Sequence, residues 1–219
     1  QKLRLPAKAH RLRVRRQGYT SATRDILPKP GQEQALNVTL LTEEETYWAS
    51  RPARISAFGN INMALMRPQA PFKMGAPRRE PGRRANEVER AVVLKRPFYL
   101  GVNEVSNRQF RLWRAEHSSS AISAQTLDMQ EQPVAMVSWQ DAARFCNWLS
   151  ERDDLKPFYQ LQNDRVDGQN WNANGYRLPT EAEWSWAARV AEDGSTAMFG
   201  WNNNRYPPSD VMANYADAS

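Results

Sequence analysis

The sequence predicts a mixed α+β fold that is preceded by a small antiparallel β-module. Apolar and charged side chains alternate through residues 1–41, a pattern typical of half-buried strands. Farther along, three hydroxyl side chains each precede a hydrogen-bond acceptor by three residues, which is the spacing of a capped helix start. Short apolar runs between these regions predict further strands that cover the helices.

The composition is that of a globular chain, with 219 residues of which 41% are hydrophobic and 25% are charged. No apolar run is long enough to predict a transmembrane segment. Residues 1–96 hold 20 Lys+Arg against 8 Asp+Glu, whereas residues 97–219 hold 10 against 16. This asymmetry indicates either a solvated basic face, which we favour, or contact with an acidic partner such as nucleic acid, anionic lipid or protein. Nucleic acid is the partner that we expect least.

The β-module occupies residues 1–41 and is predicted to contain three strands. These strands lie around residues 3–5, 12–14 and 36–40, with turns at 17–19 and 29–32. Residues 42–70 are predicted to be a linker that leads into the following domain. A short helix within the linker is expected to start after Thr42, because three glutamates follow this N-cap residue.

The β-module resembles a PEGA repeat. The matching segments are Leu5–Ala7, His10–Val14, Gly18–Tyr19, Lys29–Gln32 and Leu36–Leu40. Two features depart from the repeat: its beginning is absent, and Lys8 stands where the repeat has a glycine. The resemblance implies a bacterial extracytoplasmic protein, periplasmic or at the cell surface, in which the module serves as a spacer or an adhesive unit.

Three helices are predicted in residues 71–219 from their N-terminal caps. The capping pairs are Ser106 with Gln109, Ser138 with Asp141, and Thr180 with Glu183. Apolar residues at helical spacing predict the buried faces of these helices. The faces consist of Phe110 and Trp113; of Ala142, Phe145, Cys146 and Leu149; and of Trp184, Ala187, Ala188 and Ala191. Strands are predicted at Val92–Leu94 and Phe98–Val102.

Four blocks in residues 71–219 resemble the formylglycine-generating-enzyme, or sulfatase-modifying-factor, family. They comprise residues 72–75 (FKMG), 98–110 (FYLGVNEVSNRQF), 133–142 with 146–149 (PVAMVSWQDA and CNWL) and 175–189 (GYRLPTEAEWSWAAR). The resemblance implies a C-type-lectin-like fold, α+β with much loop, of which this chain holds the N-terminal part. We therefore expect the domain to be completed by sequence that follows Ser219.

The polar residues of these blocks are interpreted as structural rather than as paired acid–base catalysts. Glu183, like Glu181, lies in the first turn of a helix, where a carboxylate closes the cap and interacts favourably with the helix dipole. Arg177 is expected to pair with a buried or loop carboxylate. Four tryptophans are expected in the core, because aromatic residues at helical spacing usually face inward: Trp139, Trp148, Trp184 and Trp186.

Catalytic members of the resembled family bind copper through two cysteines and oxidise a cysteine of their substrate. Those cysteines fall beyond the end of this chain, and Cys146 matches instead a cysteine that is structural in some members. As a small apolar residue on a helix face, Cys146 is expected to be buried. Iron-dependent relatives use a histidine site, whereas His10 lies in the β-module and His117 stands alone after a helix. We expect neither a copper nor an iron site in this chain.

Residues 213–215 resemble the start of a calcium site in the same family. The Asn214 side chain and the Tyr215 carbonyl would offer two oxygen ligands, of the type that calcium prefers. Calcium takes about 6–8 such ligands, so the others would come from residues that this chain lacks.

The sequence leaves two function hypotheses open. The first is a non-catalytic binding or structural module, whose partner is another protein or the missing C-terminal segment. The second is a fragment of a copper-dependent oxidase, a formylglycine-generating oxidoreductase that acts on sulfatase cysteines. In either case we expect an exposed apolar face around the Trp184–Ala188 helix and the loop near Trp201.

Overall fold

The computed structural model describes residues 3–80, 83–191 and 194–197. The chain forms two compact units, Gln1–Pro52 and Ala53–Ser219. No helix within the described residues is long and apolar enough to cross a membrane.

The first unit contains an antiparallel hairpin. Strand β1 (His10–Val14) pairs with β2 (Ala22–Ile26) in continuous register. Gly18 adopts a positive φ of 78° between the strands, a conformation that glycine reaches without steric cost. The turn predicted at residues 17–19 is therefore confirmed.

Two of the three strands predicted in this unit are wrong. Residues 3–5 and 36–40 form no strand, and Leu3 and Leu36 are exposed. Alternation produces a strand only where the segment pairs with another strand, and β1 and β2 pair only with each other in this sheet. The sequence of β2, ATRDI, conceals the strand because only its two ends are apolar.

Most of the predicted linker, residues 42–70, is regular structure. It contains α1 (Glu43–Ala49), β3 (Arg54–Ala57) and β4 (Ile61–Met66). The helix was predicted from Thr42, whose hydroxyl accepts a hydrogen bond from the Glu45 amide (3.1 Å). Strand β4 was missed because INMALM is nearly continuous in apolar residues and shows no period of two. Strand β3, RISA, does alternate but has only four residues, too short a pattern to stand out.

A three-stranded antiparallel sheet organises the second unit. Its strand order is β3-β4-β7, where β7 spans Phe98–Gly101 and confirms the strand predicted there. The β3–β4 turn places Gly59 at φ 74° and Asn60 at φ 60°. A Cβ atom on Gly59 would lie 2.8 Å from the Leu112 side chain, so glycine serves both the conformation and the close approach.

The remaining strands form short hairpins. The pairs are β5 (Phe72–Met74) with β6 (Arg90–Val92), β8 (Ala121–Ile122) with β9 (Gln125–Thr126), and β10 (Tyr159–Gln162) with β11 (Arg165–Gln169). Of the strand predicted at Val92–Leu94 only Val92 is confirmed, because β6 ends there, where Val92 pairs with Phe72. Residues 93–94 lie outside the strand.

Three helices begin where their caps predict. They are α2 (Asn107–Arg111), α3 (Trp139–Arg152) and α4 (Glu181–Arg189). The capping boxes at Ser106 and Thr180 are complete. At Ser138 only half of the box forms, because the shorter Asp141 side chain bonds the serine hydroxyl (2.8 Å) instead of its backbone amide.

The core of the second unit lies where α2 and α3 meet the β3–β4 hairpin. Its buried members are Ala57, Ile61, Phe110, Phe145 and Leu149, flanked by partly buried Trp113 and Trp148. A second cluster consists of Ala143, Phe158 and Tyr159. On α3 the fully buried alanine is Ala143 rather than the predicted Ala142.

The predicted core position of two tryptophans is wrong. Trp184 is 61% exposed and Trp139 is 50% exposed, whereas Glu183 and Ser185 are buried. Helix α4 turns Glu183 inward, and successive helical residues point about 100° apart, so Trp184 is left on the surface. Trp201, near which the expected apolar face was placed, lies outside the described residues.

Candidate functional site

Arg177 and Glu183 form an ion pair in the strongest sequence block. The guanidinium Nη1 lies 2.7 Å from Glu183 Oε2, and Nη2 lies 2.5 Å from Oε1. The side chains are only 23% and 11% exposed, so the pair is largely withdrawn from water. This two-pronged geometry is the strong form of an arginine–carboxylate contact, and it confirms the predicted role of Arg177.

The same carboxylate closes the cap of α4. Glu183 Oε2 accepts hydrogen bonds from the Thr180 amide (2.8 Å) and hydroxyl (3.0 Å), while the Glu183 amide donates to Thr180 Oγ1 (3.2 Å). Burial by itself raises the pKa of Glu183, but the bonds from Arg177 and Thr180 outweigh it and hold that pKa below its ordinary value. Glu183 is thus a fixed anion and is not suited to general-acid work near neutral pH.

Cys146 lies on α3 and packs against the Ala143, Phe158 and Tyr159 cluster. Burial raises the pKa of its thiol to about 12, and the nearby charge of Arg177 opposes this shift only in part. The thiolate is the form that attacks substrates and binds metals, so Cys146 is held in its unreactive form. Its predicted burial against apolar neighbours is consistent with a structural role.

A row of four rings runs from one exposed indole to another; we refer to it as the aromatic row. It consists of Trp139, Tyr159, Phe158 and Trp171, with adjacent ring centroids 5.6, 5.0 and 5.0 Å apart. Phe158 and Tyr159 are buried, whereas the two indoles are 50% and 60% exposed. Arg177 sits 5.6 Å from the Phe158 ring and 5.5 Å from the Trp171 ring. Arg177 therefore joins the ion pair to the aromatic row through its contacts with these two rings.

A polar cleft of about 290 Å³ opens beside the β3–β4 turn and the start of α2. Its lining includes Asn60, Asn62, Asn103, Glu104, Gln109 and Glu131. Gln109 donates to the Asn60 carbonyl (3.1 Å), and Glu131 is paired with Arg108 (2.7 Å). Side-chain amides donate and accept hydrogen bonds, so this cleft, whose lining also holds the carboxylates of Glu104 and Glu131, is suited to binding a polar ligand.

The remaining predicted site residues fall in three groups. Ser138 and Asp141 cap α3, as described above, and Asp141 also pairs with Arg114 (2.8 Å). Asn214 and Tyr215 lie outside the described residues. Among the residues that the structure describes, no group of three His, Cys, Asp or Glu side chains is placed to hold a metal ion.

Sequence reasoning missed one polar clamp. Buried Asn147 donates to the Tyr159 carbonyl (2.7 Å) and accepts from the Tyr159 amide (3.0 Å), so it fixes the start of β10 against α3. The only signal was a polar residue within the apolar stretch CNWL, which a single sequence does not distinguish from a solvent-facing one.

A family model for the sulfatase-modifying factor enzyme 1-like domain matches residues 58–219. The chain belongs to this family. The match starts before residue 71, where the domain was predicted to begin, and so includes the whole of the missed strand β4. The sequence-based resemblance to formylglycine-generating enzymes is confirmed.

Two curated relatives of this family member show what the similarity covers. A protein of Paenibacillus barcinonensis named chaperone protein LppX is 32% identical over 121 residues, which are 49% of this chain and 41% of the relative. The formylglycine-generating enzyme of Bos taurus is 29% identical over 140 residues, 53% of this chain and 36% of the enzyme. The chain thus spans about two fifths of the length of these relatives.

The fold is shared with a solved structure, Treponema denticola variable protein 1. The match has a TM-score of 0.53 and 24% sequence identity, and it covers 71% of this chain and 62% of that one. The short antiparallel sheets and scattered helices of this sulfatase-modifying-factor-like domain are those of the C-type-lectin-like, formylglycine-generating-enzyme type of fold. The predicted α+β fold class is confirmed.

Proposed function

We propose that this chain acts as a non-catalytic binding module whose partner is another protein. The observation that carries the proposal is the saturation of Glu183, whose two oxygens accept four internal hydrogen bonds. Cys146, the single cysteine of the sequence, is partly buried against apolar neighbours, and this burial raises the pKa of its thiol to about 12. The chemistry-bearing side chains of the family blocks are therefore used to hold the fold together.

The surface that we assign to binding is the aromatic row. Exposed tryptophans beside an arginine are the side chains that dominate protein–protein contacts. The name of the Paenibacillus relative, a chaperone protein, supports a role in holding other polypeptides. We place the protein outside the cytoplasm of a bacterium, on the resemblance of residues 1–41 to a PEGA repeat.

A single aggregation assay tests the binding role. The chain should slow the aggregation of a thermally unfolding model protein, and Trp139→Ser with Trp171→Ser should abolish the effect. Trp184→Ser is the matched control, because Trp184 is an equally exposed indole outside the row. Equal loss of protection in the control and in the row variant would show that the aromatic row has no special role.

A second candidate is supported by the two relatives named formylglycine-generating enzyme, from Bos taurus and Mycobacterium tuberculosis. In this case the whole protein would be a copper-dependent oxidase. A pair of cysteines cannot come from these 219 residues, which contain one. We expect no aldehyde when the chain is incubated with copper and a cysteine-containing sulfatase peptide. Aldehyde detected by mass spectrometry, from this chain alone, would reverse the order of the two candidates.

Calcium remains a proposal that rests on Asn214 and Tyr215. The chemistry of the donors fits calcium, but two oxygens are about a third of its usual ligand number. We propose that other residues complete the site in the whole protein. A calcium-dependent rise in the melting temperature of the whole protein, lost in Asn214→Ala, would support this site, and a rise that survives the substitution would locate calcium elsewhere.

A further inference from the structure

A basic depression of about 640 Å³ lies in the first unit, at the end of the β1–β2 hairpin. Its lining includes Arg13, Arg15, Arg16, Tyr19, Ser21 and Glu43. The volume lies within the range of about 300–1,000 Å³ that is usual for small-ligand sites. We refer to this region as the basic depression.

The pattern of β1 determines which arginine charges remain available. Leu12 and Val14 are half-buried, so Arg11 and Arg13 share the exposed face of the strand. Arg11 is neutralised by Asp25 across the hairpin, at 2.8 and 3.2 Å. Arg13 instead contacts the Ser21 hydroxyl through Nε (3.2 Å) and Nη2 (3.1 Å). The hydroxyl fixes the direction of the guanidinium and leaves its charge uncompensated.

The other two arginines add to this charge. Arg16 lies over the Tyr19 ring at 4.7 Å, so its guanidinium is held at a defined place on the rim. Tyr19 is itself fixed by a backbone bridge to Thr42. Arg15 makes no hydrogen bond, ion pair or ring contact with any residue in the described part of the chain. It is therefore free to turn toward a ligand.

The lining contains many donors and few acceptors of opposite charge. The lining holds three guanidiniums against one carboxylate, that of Glu43, together with the hydroxyl groups of Thr20 and Ser21. The net charge of these side chains is two positive units, in a unit that already belongs to the basic half of the sequence. Guanidinium groups bind phosphate oxygens through paired N–H donors, and clustered arginines select for groups with more than one negative charge.

We propose that the basic depression is a binding site for phosphate groups that together present at least two negative charges, either on one molecule or on neighbouring headgroups of a membrane. The ligand is either a free polyphosphate group or the phosphate of a lipid headgroup, since both present the same oxygens. The site is separate from the aromatic row and does not depend on the proposed function of the second unit.

The first test is calorimetric titration of the whole chain with tripolyphosphate at low salt. The triple variant Arg13→Ala, Arg15→Ala, Arg16→Ala should bind at least about tenfold more weakly. The matched control removes the same charge from exposed positions outside the depression: Lys8→Ala, Arg24→Ala and Lys29→Ala. The control should change the affinity by less than about threefold, because these three side chains do not line the depression.

The second test uses vesicles and separates the two ligand sources. Sedimentation with phosphatidylglycerol vesicles, compared with phosphatidylcholine vesicles, shows whether a headgroup is bound. If the chain binds tripolyphosphate but not vesicles, the ligand is soluble. If it binds phosphatidylglycerol vesicles, with or without tripolyphosphate binding, the ligand is a headgroup. Either result supports the site if the triple variant loses the binding. Equal losses in the two triple variants, or no binding of either probe, would overturn the proposal.

Folding of the variants is checked by the circular dichroism spectrum and the melting curve. Arg13 holds Ser21, so its removal carries the greatest structural risk. If the triple variant does not fold, Arg15→Ala with Arg16→Ala replaces it, since neither of these arginine side chains forms a hydrogen bond with a described residue. This double variant should still bind at least about threefold more weakly, and an unchanged affinity would again overturn the proposal.

Discussion

Replacing Arg177 with methionine should destabilise the second unit more than any exposed ion-pair substitution. Methionine preserves most of the packing against Phe158 and Trp171 but removes the positive charge and both hydrogen bonds to Glu183. The Glu183 carboxylate would then be a buried anion with only the two Thr180 donors. An uncompensated buried charge is among the few single-residue changes with a large effect on stability.

The magnitude follows from burial. Removing one partner of a buried ion pair costs about 3–5 kcal/mol. Arg177 is 23% exposed and Glu183 keeps its Thr180 bonds, so we expect about 2–3 kcal/mol here. For a chain of this size that corresponds to a fall in melting temperature of about 4–12 °C. The matched control is Arg108→Met, whose partner Glu131 is 73% exposed, and it should change the stability little, because water already solvates both charges.

The pH dependence gives an independent check. In the native protein the pKa of Glu183 is lowered, so its contribution to stability is complete above the unfolded-state pKa and is lost as pH falls through the folded-state pKa. In Arg177→Met burial acts without the ion pair, and the pKa of Glu183 should rise above the unfolded-state value. Protonation of Glu183 then removes the buried charge from the variant. The difference in the free energy of unfolding between the native protein and the variant should therefore narrow between neutral pH and about pH 4.

Denaturant unfolding followed by tryptophan fluorescence measures these differences at each pH. The reasoning fails if Arg177→Met loses no more stability than Arg108→Met. It also fails if the gap between native protein and variant stays constant as the pH is lowered, because the cost would then come from lost packing and not from a stranded carboxylate.

Three further changes test the other contacts. Thr180→Ala removes the α4 cap and one hydroxyl bond to Glu183, and should lower the free energy of unfolding by about 1 kcal/mol in a denaturant titration. Cys146 should react with a thiol reagent at mildly alkaline pH far more slowly than in the unfolded chain, because burial raises its pKa to about 12; equal rates would contradict the burial. Ser119→Ala removes the buried hydroxyl that donates to Asn107 Oδ1 and accepts from the Ala135 amide (2.9 Å), and a loss of about 1–3 kcal/mol is expected from the melting curve.

The helix starts could be predicted because their causes are local. A cap joins residues three apart, and Ser106, Ser138 and Thr180 each accept from the amide three residues later. The family blocks were equally visible, since their order and spacing are read directly from the chain. Neither signal depends on which elements the helix packs against in the folded protein.

The strands were harder to predict because their causes are not local. Residues 36–40 have the alternation of a strand and form none, whereas β2 has little alternation and pairs with β1 along its full length. The difference is the availability of a partner edge, which no window of sequence contains. The β4 strand of the β3–β4 hairpin was missed for a related reason. Most of its side chains are at least partly buried, so its sequence lacks the alternation of apolar and polar residues that marks a strand with one solvent-exposed face.

The orientation of α4 shows how a polar contact can override an apolar pattern. Its tryptophans and alanines predict an inward apolar face, yet the helix turns Glu183 inward and exposes Trp184. An apolar face can be buried against many surfaces, whereas a buried carboxylate must meet a particular set of donors. Arg177 supplies those donors from six residues earlier, and Thr180 supplies the rest. The block at residues 175–189 therefore encodes an ion pair and a helix cap, two contacts that stabilise the fold.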